Sequence, residues 1–285
     1  KKKKHEVRKK SEIDFDKYNQ LVVADDNAVT HEYSSSYRGR VQNRKIDAVF
    51  LPMFQLSFSQ YDNGVKSYQA YDRDVEQFNL RQKPLRKLYV RCDVKTLTED
   101  ENKAVFAVID SLSAAIGASR NIAKEKGLLI QRAVANTVVQ NYADAISDLT
   151  VYISTDSTSA MAYWQRAVCQ ARMNEFEASQ GKDVGLLTLN AMADLDKAIS
   201  LSPHNPYVYY DRGNLHAVSK DYVKAVADYT KAIELDPNFA EAYYNRGIAN
   251  INLKKTEEGI RDLSKAGELG LYNAYSIIKK YSNKK

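Results

Sequence analysis

Chemistry needs nucleophiles, bases, metal ligands or anion-binding loops at workable spacings, and this chain offers few. Its four histidines, His5, His31, His204 and His216, lie far apart in sequence, and none belongs to a His-Glu-x-x-His pattern. Cys92 and Cys169 form no Cys-x-x-Cys pair and have no histidine-rich neighbour. They are expected to be small buried hydrophobes rather than half of a disulfide or a zinc site. Asp25 and Asp26 are adjacent and Thr98 to Asn102 is acidic, but a turn and a helix start account for both. The serines of "YSSSYRGR" have no base nearby in sequence, and no Gly-x-Ser-x-Gly, phosphate-binding or dinucleotide-binding glycine pattern is present. No catalytic residue, metal, cofactor or small-molecule substrate is therefore expected, and the chain is read as a non-enzyme.

Charge is concentrated in one place. The opening "KKKKHEVRKK" holds seven basic residues and one acid, a net +6 that equals the formal charge of the whole chain. The other 275 residues carry 35 side chains of each sign. The basic balance thus belongs to one end and not to a basic face spread over a fold. Residues 1–12 are read as a disordered basic linker or arm. Direct binding of nucleic acid or an anionic surface through this run is the alternative function. No stretch is long and apolar enough to span a membrane. The first residue is lysine, which fits a processed product or a piece of a longer polypeptide, so the compartment is not legible.

The elements that must position any functional surface come from a repeat. "ADLDKAISLSP" (Ala193 to Pro203) matches "ADYTKAIELDP" (Ala227 to Pro237) at an offset of 34, and "YYDRG" at Tyr209 matches "YYNRG" at Tyr243 at the same offset. A period of 34 with small and aromatic residues alternating along two helices resembles the tetratricopeptide repeat family. The third repeat, 206–239, places Tyr209, Gly213, Ala225, Tyr229, Ala232 and Pro237 at the family's packing positions. The fourth spans 240–273, with Gly270 near the proline position. The second spans 160–205 with 12 extra residues around Asn174 to Leu187, and the first spans 126–159 and is the least faithful. Small residues at these places let two antiparallel helices approach closely. A helix at 271–282, with Ala274, Ile277, Ile278 and Tyr281 on one face and lysines beyond, would cap the open end.

That register yields two sets of functional candidates. Position 7 is arginine in every repeat (Arg132, Arg166, Arg212, Arg246) and position 23 is aspartate (Asp148, Asp194, Asp228, Asp262). Four stacked Arg–Asp pairs across the hairpins are expected as structural ion pairs. The resemblance implies that the first helix of each repeat lines a concave groove for a protein or peptide partner. The groove positions fall on Trp164, Gln165 and Val168, then Tyr207, Tyr210, Asp211 and Asn214, then Tyr244, Asn245, Ile248 and Asn252. No lysine occupies them, so the carboxylate clamp of chaperone-binding members is not expected. An aromatic and amide-rich groove suits a peptide held by stacking and main-chain hydrogen bonds.

Residues 13–125 carry no repeat. Alternation at Phe54, Leu56 and Phe58 and at Leu88, Val90 and Cys92 marks strands, and Tyr68, Tyr71, Val75 and Phe78 form a helical stripe. Thr98 and Glu101 form a capping box for a helix to about Ile116, whose stripe from Val105 to Ile116 needs a sheet to cover. The fold class is mainly α: a C-terminal tetratricopeptide α-solenoid of about four repeats (126–285) preceded by a small α+β domain. The whole resembles the later part of long exported bacterial proteins of this family, through "YRGRVQ" at Tyr37 to Gln42. That likeness implies a bacterial cell-envelope or periplasmic setting, with the cytoplasm as alternative. The function expected is an interaction scaffold.

Overall fold

The computed structural model describes residues 50–56, 90–91, 97–120, 122–181 and 185–282. The basic run, the "YRGRVQ" segment, the stripe at 68–78 and Cys92 lie outside these residues. The chain is mainly helical, and its described part is an array of antiparallel helix hairpins. A helix α1 (Glu99–Gly117) leads into hairpins α2/α3 (Ile122–Val138, Tyr142–Thr155), α4/α5 (Ala160–Ser179, Gly185–Leu201), α6/α7 (Pro206–Val218, Tyr222–Leu235) and α8/α9 (Ala240–Asn252, Thr256–Glu268). A short helix α10 (Ala274–Ser282) follows. Each helix packs on its chain neighbours, and α2, α4, α6 and α8 also touch one another in series, which makes them the inner row.

Local chemistry sets the helix ends. The Thr98 hydroxyl accepts from the Glu101 amide while the Glu101 carboxylate accepts from the Thr98 amide, a reciprocal capping box. Asn205 caps α6 with Pro206 in its first turn, and Asp221 caps α7. The turns that end α3 and α7 are closed by Asp156 and Asp236, each accepting from the amide two residues on. The aspartate makes the turn, which is why Ser157 can stand where Pro237 stands in the third repeat.

Helix α1 joins the array at its first flank. Among the described residues it packs on α2, with Val105 and Leu112 buried, and most of the sheet its stripe was expected to cover falls outside the described residues. An array of hairpins leaves the outer flank of its first helix bare, and α1 closes that flank as a further second-helix would. Among the described residues, the two alternating runs meet in a short antiparallel ladder, β1 (Gln55–Leu56) with β2 (Val90–Arg91), registered Gln55 to Arg91.

The arginines set the pitch of the array. In each hairpin the guanidinium takes both oxygens of its aspartate, at 2.9 and 2.6 Å for Arg132–Asp148 and 2.7 and 2.7 Å for Arg166–Asp194. Arg212–Asp228 and Arg246–Asp262 each make the same pair at 2.9 and 2.7 Å. The third nitrogen reaches backwards, to Thr150 from Arg166, Asp196 from Arg212 and Thr230 from Arg246. Arg132 reaches Ser113 of α1 in the same way, so α1 takes the place of a preceding second helix. Each guanidinium after the first also lies 5.4–5.8 Å from the ring of the tyrosine three residues earlier. One side chain thereby ties its own hairpin shut and joins it to the hairpin before.

The insertion leaves this geometry intact. Helices α4 and α5 run 20 and 17 residues where α6 and α7 run 13 and 14, and Asn174 bonds Thr188 between them. The extra residues lengthen both arms of the second hairpin beyond the Arg166–Asp194 pair.

Two stability results follow from this packing. Arg246→Lys keeps the charge but cannot bridge Asp262 and Thr230 together, and should lower unfolding free energy by about 1–3 kcal/mol in urea titration. Arg246→Ala, which strands the buried Asp262, should cost about 3–5 kcal/mol. Gly259 separates α8 from α9, where a Cβ would come within 2.7 Å of the Gly247 carbonyl oxygen and 2.6 Å of Ile251. Helix propensity favours alanine by about 1 kcal/mol, but overpacking against backbone costs about 1–3 kcal/mol. Gly259→Ala should therefore destabilise. Gly117→Ala, with no atom within 4 Å of the new Cβ, should not.

Candidate functional site

The concave face of the inner row is occupied by the chain itself. Residues 50–54 lie extended across α4, α6 and α8, and Leu51, Met53 and Phe54 are buried there. The contact is made mostly through main chain. Asn245 on α8 clasps Leu51 with both ends of its amide: Oδ1 accepts from the Leu51 N–H at 2.7 Å and Nδ2 donates to the Leu51 carbonyl at 3.0 Å. Asn214 Nδ2 on α6 donates to the same carbonyl at 3.1 Å. The Tyr210 hydroxyl lies 3.2 Å from the Leu51 carbonyl and 3.1 Å from that of Pro52. Arg172 on α4 donates to the Met53 carbonyl at 3.2 Å, and Asp211 accepts from the Phe54 N–H at 2.7 Å. Side chains of three helices thus imitate the edge of a β-sheet.

The clasp is held by a second layer. Asn245 Nδ2 lies 2.8 Å from both the Tyr210 hydroxyl and Asn214 Oδ1, and the Tyr229 hydroxyl donates to Asn214 Oδ1 at 2.7 Å. With two hydrogens for three acceptors, the Asn245 amide shares its donors, and every partner fixes its rotamer. Asp211 holds the Trp164 indole N–H at 2.7 Å with its other oxygen. Complete burial pushes the Asp211 carboxyl well above the usual carboxylate range, against the opposing pull of its two N–H donors. Arg172 is the nearby cation.

Two apolar seats flank the clasp. The Phe54 ring sits 5.0 Å from Tyr207, 5.2 Å from Tyr210 and 5.3 Å from Phe239, the last two edge-on. Tyr207 in turn stacks on Trp164 at 6.0 Å. Leu51 packs with Tyr244 and Ile248.

The structure brings Trp164, Tyr207, Tyr210, Asp211, Asn214, Tyr244, Asn245 and Ile248 together around this segment. Among the described residues, Gln165 donates to Thr137 in the preceding hairpin at 3.0 Å, and Asn252 bonds the Ile248 carbonyl of its own helix at 2.9 Å. Val168 is buried in the same cluster as Met53, Phe54 and Trp164. Two residues were not anticipated. Arg172 stands at position 13 of the second repeat, a groove position the register already contained. Phe239 lies in the turn before α8, where no groove rule marks it. Cys169 is buried beside Thr137, and its burial pushes the thiol up to about 11, so it is no nucleophile. His216 lies 3.7 Å from Asp228 at the margin of the third Arg–Asp pair, and burial holds its pKa below the ordinary value. Among the described residues, no group of three His, Cys, Asp or Glu is placed to hold a metal ion, and no helix is long and apolar enough to cross a membrane.

Two models of the tetratricopeptide repeat match the chain, over residues 206–239 and 228–261. No curated protein matches it. Among solved structures, one described as MamA is 22% identical with a TM-score of 0.51, covering 63% of this chain and 99% of that one. A tetratricopeptide repeat protein from Parabacteroides merdae is 15% identical with a TM-score of 0.53, covering 76% and 72%. These likenesses are of fold.

Asp211 offers a test of the site. Removing it in Asp211→Ala leaves two buried N–H donors unmet and should cost about 2–4 kcal/mol. Asp211→Asn should recover part, since its single oxygen satisfies one donor. The raised carboxyl pKa means that the folded chain holds this proton more tightly than the unfolded one. The stability it contributes is full below the ordinary aspartate range and falls as pH climbs towards the raised value. Urea titrations from pH 4 upward should show that downward slope in the parent, and Asp211→Asn should flatten it.

Proposed function

We propose that this chain, a tetratricopeptide repeat protein, is a non-enzymatic interaction scaffold whose concave face takes up an extended stretch of a partner polypeptide. The observation that carries the reading is the Asn245 clasp on both main-chain groups of Leu51. A side-chain amide spent on backbone N–H and C=O recognises any extended chain, whereas flanking pockets decide which side chains accompany it. The ionisable side chains that hold the segment are Asp211 and Arg172, and among the described residues no lysine holds it, which suits a neutral apolar segment better than a chain terminus or a phosphate. No cofactor and no small-molecule substrate is needed for this role. The alternative, nucleic-acid binding through Lys1 to Lys10, rests on residues outside the array and would show as binding lost on deletion of residues 1–10 and weakened steeply by salt.

Selection of a displayed random-peptide library on the full chain tests the groove. Asn245→Asp, which keeps the acceptor and loses the donor, serves as the counter-target. Apolar peptides that bind the parent at least tenfold better than the variant are expected. Peptides that bind both equally would remove the groove from the proposal.

A further inference from the structure

We infer that residues 50–54, "FLPMF", are a tethered ligand of the groove, and that an external partner carries a segment of the same kind: an aliphatic residue, then an aromatic three positions on, in extended conformation. The inference rests on the groove reading above and adds what the groove selects and what guards it.

The pattern follows from which atoms are held. Leu51 gives the groove its N–H, its carbonyl and an aliphatic side chain seated against Tyr244 and Ile248. Pro52 is only half-buried and gives only its carbonyl, so the groove asks no N–H of that position and proline's fixed φ favours the extended form. Phe54 gives its N–H to Asp211 and its ring to the seat of Tyr207, Tyr210 and Phe239. Leu51 and Phe54 are the two anchors.

These bonds are of a ligand's kind. Among the described residues, every polar contact of this segment's main chain is to a side chain of the inner row, and the ladder to another strand begins only at Gln55. The helices beneath are tied by their own arginine ladder, which makes no contact with the segment. Departure of residues 50–54 therefore removes one layer and leaves the hairpins joined.

Tethering sets the competition. A segment linked to its site within one chain acts at roughly millimolar effective concentration. If the free segment binds at roughly 10 µM, the tether weakens any external ligand on the order of 100-fold.

The experiment compares the full chain with Leu51→Asp/Phe54→Asp, which places a carboxylate in each apolar seat. The probe is a fluorescent peptide of residues 48–56, AVFLPMFQL, and circular dichroism melts check folding. The double variant should melt cooperatively and bind the peptide, with the parent on the order of 100-fold weaker. Equal binding by both would overturn the tether while leaving the groove reading intact. No binding to a folded variant would overturn both. Should the variant not fold, amide hydrogen exchange on the parent decides. Leu51 and Phe54 amides exchanging faster than the interiors of α6 and α8 would support the inference, and exchange in step with them would make the segment core and overturn it.

Discussion

The guanidinium at the seventh position of each repeat is the interaction on which the rest of the array depends. It spans three helices, taking both oxygens of the aspartate within its hairpin and a hydroxyl or carboxylate on the helix before. Bidentate geometry fixes angle as well as distance within each hairpin, and the third nitrogen of the same planar group joins that hairpin to the helix before. The stack so joined brings Trp164, Tyr210 and Asn245, from three different helices, to one segment. The 12-residue insertion shows the order of control: it lengthens α4 and α5 yet leaves Arg166 on Asp194 at 2.7 Å.

The groove also solves a problem created by helices. An α-helix spends its backbone groups on itself, so a helical surface can meet an extended strand's main chain only through side chains. Asparagine is suited to this because one planar group carries donor and acceptor as a peptide does. Its weakness is rotational freedom, and the Tyr210, Asn214 and Tyr229 network removes it. The buried polar cluster is acceptable because its members are partnered, and each partner sits on a helix the arginine ladder has already placed.

The fold of the helical part was legible because a repeat repeats its constraints. Gly213 and Gly247, Asp228 and Asp262, Arg212 and Arg246 recur at one spacing, and the hairpins follow from close approach and charge pairing. The third arm of each arginine was not legible. Its acceptors are Ser113, Thr150, Asp196 and Thr230, which differ in type and so show no pattern. The groove's lining could be read from register, but its occupant could not. "FLPMF" has the alternation of a strand, and nothing in its own residues says that its partners are side chains of helices about 160 to 190 positions away.

Asp211 bears on whether the occupant of the groove is core or ligand. A permanent core gains nothing from a carboxyl buried without a close ion pair, since desolvation costs more than two N–H bonds return and an apolar residue of similar size would serve better. A groove that alternates between filled and open has a use for one. When residues 50–54 leave, Asp211 loses the Phe54 N–H and Arg172 loses the Met53 carbonyl, and both recover hydration. The buried carboxyl thus lowers the affinity of a segment that its apolar anchors alone would hold fast. Its Trp164 bond, made within the array, persists in either state and keeps the carboxyl aimed at the place where the next extended chain must present an N–H.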